Sequence, residues 1–195
     1  MQQEIESLIT QTLGDNARFT SLTFRGETWD AWIRPTLNYN NELDPDDELI
    51  ERHYLEFHKK NIRLFRSDCS CEFEPGICIL AIPNMPVLKI IDYAGVGLCE
   101  PLEPELKFEK VKTFLTQLSE QVPFAIVSAY INGLSVALLE PISMKLAEYI
   151  SEQVFDLAPG SYEGVEPEID DETGIPFLDI PSYIQSQQSF SLWWT

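Results

Sequence analysis

The stretch Pro123-Phe124-Ala125-Ile126-Val127-Ser128-Ala129-Tyr130-Ile131-Asn132-Gly133-Leu134-Ser135-Val136-Ala137-Leu138-Leu139-Glu140 decides the reading of the fold. Two apolar runs of strand length flank an Asn-Gly pair, and no charge appears before Glu140. Asn-Gly predicts a type I′ hairpin turn, which needs positive φ at both central positions. The flanks are helical. Phe108, Val111, Phe114, Leu115 and Leu118 recur on one helix face through about Gln121, and Ser143 is placed to cap a helix carrying Met144, Ala147, Ile150, Ser151 and Val154 on one side. That helix ends before Pro159-Gly160. A strand pair between two amphipathic helices predicts an α+β protein with a mixed or largely antiparallel sheet covered by helices, as one compact unit or two closely packed lobes.

Upstream, Ile5, Leu8, Ile9 and Leu13 predict a short amphipathic helix, and residues 18–24 and 27–34 a hairpin around Arg25-Gly26. Asp44-Pro45-Asp46-Asp47-Glu48 places a cap, a first-turn proline and acids at the start of a helix reaching about Lys60, with Leu49, Ile50, His53, Tyr54 and Phe57 on its apolar face. Residues 61–66, 76–82 and 86–93 read as short strands. The two prolines and three glutamates of 99–105 form the one linker-like stretch, so the chain is expected to divide into an N-terminal α+β lobe over 1–102 and a C-terminal α+β lobe over 103–195. Downstream come an acidic loop, a short helix opened by Pro181 and an aromatic strand from Ser189 to Trp194. The adjacent Trp193 and Trp194 would point to opposite faces of that strand, at most one filling the core beneath it. Packing on both faces is the expectation.

The 195 residues are 44% hydrophobic with 13 Lys and Arg against 32 Asp and Glu, a formal charge of −19. That balance argues against a surface that tracks phosphates or binds anionic membranes. The N-terminus has neither a basic region nor an apolar core of the kind a secretory signal needs, and no span approaches a membrane helix, so a cytoplasmic protein is expected. Cys69, Cys71, Cys78 and Cys99 are then expected to be reduced thiols.

Motifs for chemistry are sparse. Cys69-Ser70-Cys71 is too tightly spaced for a zinc pair, and His53 and His58 lie about 140° apart around their helix, so neither metal nor cofactor is expected. Ala94-Gly95-Val96-Gly97 lacks the third glycine and the lysine of phosphate loops, which leaves it as a turn or bulge. No Gly-x-Ser-x-Gly elbow is present. An enzyme would have to assemble its site from dispersed residues such as His53, Asp92 or Tyr93.

The strongest anomaly is charge. Eleven acids between Glu140 and Asp179 face the single base Lys145, a local charge of −10. Six of them, Glu163, Glu166, Glu168, Asp170, Asp171 and Glu172, fall within ten residues. Such a run is either a solvated loop that keeps the protein soluble or a docking surface that steers a basic partner. It lacks the alternating ligands, central glycine and closing glutamate of a calcium loop.

From about 107 to 195 the order of parts resembles a bacterial domain-of-unknown-function family that ends in a Trp-Trp-Asp-like tripeptide. Those parts are the helix 108–121, the strand pair 125–140, Pro141, the helix 144–154, the turn 155–160 and Trp193-Trp194. The turn keeps Phe155 and Pro159 but lacks the family's cysteine and following aspartate, and Thr195 replaces the terminal Asp. The resemblance implies a small α+β domain and no activity. In general character the chain is also similar to toxin-immunity proteins. The expected function is therefore non-enzymatic: an acidic protein that occludes the basic surface of a partner such as a toxin domain, with Glu163, Glu166, Glu168, Asp170, Asp171 and Glu172 as binding residues. The alternatives are the dispersed-site enzyme and a general protein-interaction module.

Overall fold

A computed structural model describes residues 2–24, 26–36, 45–69, 76–97, 104–162, 168–169, 176–177 and 179–194. In chain order the helices are α1 (Gln2–Leu13), α2 (Pro45–Lys59), α3 (Lys89–Ala94), α4 (Pro104–Ser119), α5 (Met144–Leu157) and α6 (Ile180–Gln187). The strands are β1 (Arg18–Phe24), β2 (Glu27–Pro35), β3 (Ile62–Cys69), β4 (Gly76–Pro83), β5 (Phe124–Tyr130), β6 (Gly133–Leu138), β7 (Glu168–Ile169), β8 (Pro176–Phe177) and β9 (Ser189–Trp193). Seven strands form one mixed, mostly antiparallel open sheet in the order β1-β2-β4-β3-β5-β6-β9, with β3 and β5 parallel, and β7 and β8 form a separate two-stranded pair. The architecture is α+β, as expected from the strand pair set between two amphipathic helices. Compact units comprise residues 1–95 with 125–130, and 96–124 with 131–195.

In the first unit, Phe24 pairs with Glu27 across the two-residue turn, where Gly26 adopts φ +81°. Strand alternation then sorts the faces. Ile62 and Leu64 of β3, with Ile79 and Ala81 of β4, join Ile9 and Leu13 of α1 and Ile50 and Phe57 of α2 in one buried cluster. Phe65 points the other way and meets Tyr93 of α3 edge-on at 6.2 Å. Helices α1 and α2 thus cover one face and α3 the opposite one. Arg34 and Arg66 both stand opposite Ile79 in register, so they share the α2 face. The first turn of α2 meets them there, with the buried Asp46 bonded to Arg34 and Asp47 to Arg66 Nη1 at 2.9 Å. Carboxylates at a helix N-terminus are favoured by its dipole, and here they also fix its position on the sheet.

One expected strand is a helix. Val87, Ile90 and Ile91 favour β structure by type, yet residues 89–94 are helical and bury Ile90, Ile91 and Asp92. Backbone bonds from Lys89, Ile90 and Ile91 to the carbonyls of Pro86, Val87 and Leu88 wind the chain, and Gly95 at φ +62° ends it with a bond to Ile91 O. Packing both adjacent isoleucines on one side overrides strand propensity.

In the second unit, α4 buries Phe108, Val111, Phe114, Leu115 and Leu118, and Phe114 lies 5.7 Å from Phe190 of β9 and 6.2 Å from Tyr149 of α5. Strand β9 pairs antiparallel with β6, Leu192 opposite Leu134 and Phe190 opposite Val136. On the other face Ser135 and Ser191 bond through their hydroxyls at 2.9 Å.

The Asn132-Gly133 expectation needs correction. Strand β6 does follow directly, but neither residue has positive φ, so the turn is not type I′. Gly133 is required by proximity: it stands opposite Trp193, and an added Cβ would overlap that indole and lie 2.7 Å from the Leu192 carbonyl oxygen. Gly133→Ala is expected to destabilise the protein by about 1–3 kcal/mol in chemical denaturation, as overpacking does. Trp193→Ala in the same chain should recover part of that loss. A glycine needed for turn geometry would show no such recovery.

Candidate functional site

Helix α5 is built to present one face. Ser143 in extended backbone caps it, its hydroxyl accepting from Leu146 N at 3.3 Å. Ala147, Ile150, Val154 and Leu157 are buried on the inner side. Glu148, Glu152, Phe155 and Asp156 are all exposed, and at about 100° per residue they share a sector about 100° wide. Phe155 is 65% exposed, an aromatic set among three carboxylates.

Beside this stripe is an open cleft of about 370 Å³, lined by Ser151, Glu152, Phe155, Asp156, Tyr162 and Ile180 among others, with no basic residue among the described lining. Tyr162 comes from the 3-10 turn Pro159–Tyr162 that follows α5. Its hydroxyl is buried and makes no hydrogen bond to a described residue, and burial first and Tyr183 second push its pKa far up, so the phenol stays neutral. Tyr183 of α6 is 42% exposed. Helix α6 starts at Asp179, whose Oδ1 accepts from Ser182 N at 3.0 Å and Oδ2 from the Ser182 hydroxyl at 2.7 Å. The hydroxyl bond, then the backbone bond, hold the Asp179 carboxyl below the usual carboxylate range.

The tandem tryptophans brace this site. Trp194 is buried and its Nε1 donates to Leu157 O, the last residue of α5, at 2.8 Å. Lys107 Nζ lies 5.9 Å from the centre of the Trp194 ring. Trp193 N donates to Ser161 Oγ at 2.9 Å, which holds the 3-10 turn carrying Tyr162. The expectation that both residues pack is met: Trp194 is core, and Trp193 is half-buried over Gly133.

Of the acids singled out in the sequence, Glu163, Glu166, Asp170, Asp171 and Glu172 lie outside the described residues. Glu168 is described only as backbone, in register with Phe177. The stripe on α5 lay within the same acidic third but carried no separate signal until its spacing is combined with exposure. Glu148, Glu152 and Asp156 recur every four residues with Phe155 among them, a pattern readable once the helix and its buried face are known.

The dispersed candidates do not converge. His53 sits on α2, 6.5 Å edge-on from Phe57, whereas Asp92 and Tyr93 belong to α3 on the opposite face of the sheet. Asp92 is buried, its Oδ2 4.0 Å from Lys89 Nζ. Cys78 is buried, its Sγ 3.8 Å from the Gly76 carbonyl oxygen, Cys69 is described only as backbone, and Cys71 and Cys99 lie outside the described residues. Among the described residues no group of three His, Cys, Asp or Glu is arranged to hold a metal, and no helix is long and apolar enough to cross a membrane. A second cleft, of about 420 Å³, lies in the first unit between α1 and β2, lined by Ile5, Glu6, Trp29, Asp30, Trp32 and Asn84 among others.

His58 has a measurable consequence for pH. Half-buried and 3.2 Å from Arg63 Nη1, it has its pKa lowered by desolvation first and by that guanidinium second. The unfolded chain therefore takes up this proton at a higher pH than the folded one. Stability should fall as pH drops from about 6.5 through the lowered value and then level. His58→Gln is expected to flatten that part of the stability profile, measured by denaturant midpoints in half-unit pH steps.

Comparison with protein-family models, curated proteins and solved structures finds no match to this chain.

Proposed function

We propose that this chain is a non-enzymatic acidic binding protein, an immunity protein of the bacterial cytoplasm that neutralises a toxin by occluding its basic surface. The observation that carries this reading is the α5 face, where three carboxylates share one exposed sector with a phenylalanine. Interfaces commonly join a buried aromatic anchor to a polar rim, and opposite potentials raise the association rate and select the partner. The sequence supplies six more acids over 163–172, directly after the turn that carries Tyr162. A net charge of −19 adds long-range attraction for a basic protein.

The test is growth rescue. The chain is co-expressed with a panel of cloned basic toxin domains, and any pair that restores growth is purified for stopped-flow association. Replacing Glu148 and Glu152 by Gln and Asp156 by Asn should slow association and flatten its salt dependence, as should replacing Glu166, Glu168, Asp170 and Asp171 by their amides. Phe155→Ala should act on dissociation instead, speeding it about tenfold. Rescue of no toxin, or rescue indifferent to all three variants, would overturn the proposal.

A further inference from the structure

We propose that the cleft beside α5 receives an arginine side chain of the basic partner. This rests on the reading above in taking a basic protein as the occupant, and it names the group that enters. Three observations converge. Glu152 and Asp156, one helical turn apart, both line the cleft, and among the described residues no lysine or arginine lines it. Phe155, exposed between them in sequence, offers an aromatic surface at the same place. Tyr162 lines it too, and with its hydroxyl buried the residue offers the cleft only its ring.

The chemistry selects a guanidinium over an ammonium. A guanidinium is planar, carries five N–H donors in a rigid fork that matches carboxylate geometry, and stacks on aromatic faces. It is also more weakly hydrated, so the open cleft displaces its water at lower cost. Two carboxylates and an exposed ring answer those features one by one. An ammonium would satisfy the charge but would use neither the fork nor the plane. At about 370 Å³ the cleft is at the small end of ligand-binding sites, a size suited to one long side chain. An anionic ligand would meet two carboxylates with no cation among the described lining residues.

Two peptides of equal charge, octa-arginine and octa-lysine, separate guanidinium recognition from simple attraction to a chain of charge −19. Titrated in 150 mM salt against the full chain with backbone amide resonances as readout, octa-arginine is expected to bind at least tenfold more tightly, with shifts centred on residues 151–162. Replacing Glu152 by Gln together with Asp156 by Asn, and separately Phe155 by Ala, should reduce the two peptides to equal affinity. All three positions are exposed, and unchanged melting curves confirm that the variants fold. Equal affinity of the native chain for both peptides would overturn the proposal, as would a preference that survives loss of the carboxylates and of Phe155. The two readings fail separately. Arginine preference at the cleft with no toxin rescued leaves this site standing without the immunity role, whereas rescue without arginine preference does the reverse.

Discussion

Trp194→Ala is expected to lower stability by about 3–5 kcal/mol, the range for truncating a buried tryptophan, and melting by on the order of 10 °C. The indole is only 7% exposed and its Nε1 supplies the hydrogen bond to Leu157 O at the end of α5. Two losses therefore add: a cavity where the ring packed, and a helix-terminal carbonyl left without its donor. Trp194→Phe separates them, since it keeps most of the packing and removes only the donor, and it should recover more than half of the loss. Deleting residues 193–195 should be worse than either, because the Trp193 bond to Ser161 Oγ goes as well. Thermal melting and urea titration provide the measurement, and a full-stability deletion variant would show that these tryptophans brace nothing. The loss should extend to the proposed site, because the carbonyl and hydroxyl that the tryptophans engage belong to the end of α5 and the turn bearing Tyr162.

Arg34→Met is expected to have a similar effect, about 3–5 kcal/mol, because it removes the cation bonded to a buried carboxylate. Asp46 is 1% exposed and sits in the first turn of α2, so its charge cannot be relieved by water without moving the helix. Replacing Asp46 by Leu in the same chain should restore much of the loss, since an apolar pair of similar volume is often as stable as a buried ion pair. Arg66→Met is the control. Its partner Asp47 is well exposed, and the loss should be nearer 1 kcal/mol. Denaturant midpoints of the three variants give the comparison, and equal losses at Arg34 and Arg66 would contradict the role assigned to burial.

Helices whose evidence is local were legible in the residues themselves. Pro45 with Asp46, Asp47 and Glu48 opens α2, Ser143 caps α5, and Pro181 lies in the first turn of α6. In each case the signal and the structure it forms lie within one turn of chain. Residues 86–93 misled because β-branched side chains mark burial as readily as strand, and only the packing of Ile90 and Ile91 separates the two. Asn132-Gly133 misled differently: a familiar turn pair marks the end of a strand here, but its glycine answers to an indole sixty residues away. The site was half legible. Its acidity can be counted, whereas Phe155 reads as an ordinary apolar residue until α5 is seen to bury its other side.

Composition and short-range spacing thus determined by themselves the charge, the helix ends, the hairpin around Gly26 and the α+β class, because these depend on neighbours along the chain. Tertiary structure alone decided that β3 lies parallel to β5, that α2 and α3 occupy opposite faces and keep His53 from Tyr93, and that Glu152, Phe155, Asp156 and Tyr162 border one cleft. Those outcomes depend on which distant apolar surfaces bury one another, and the energy of such contacts belongs to pairs of residues far apart in sequence, which no local pattern encodes.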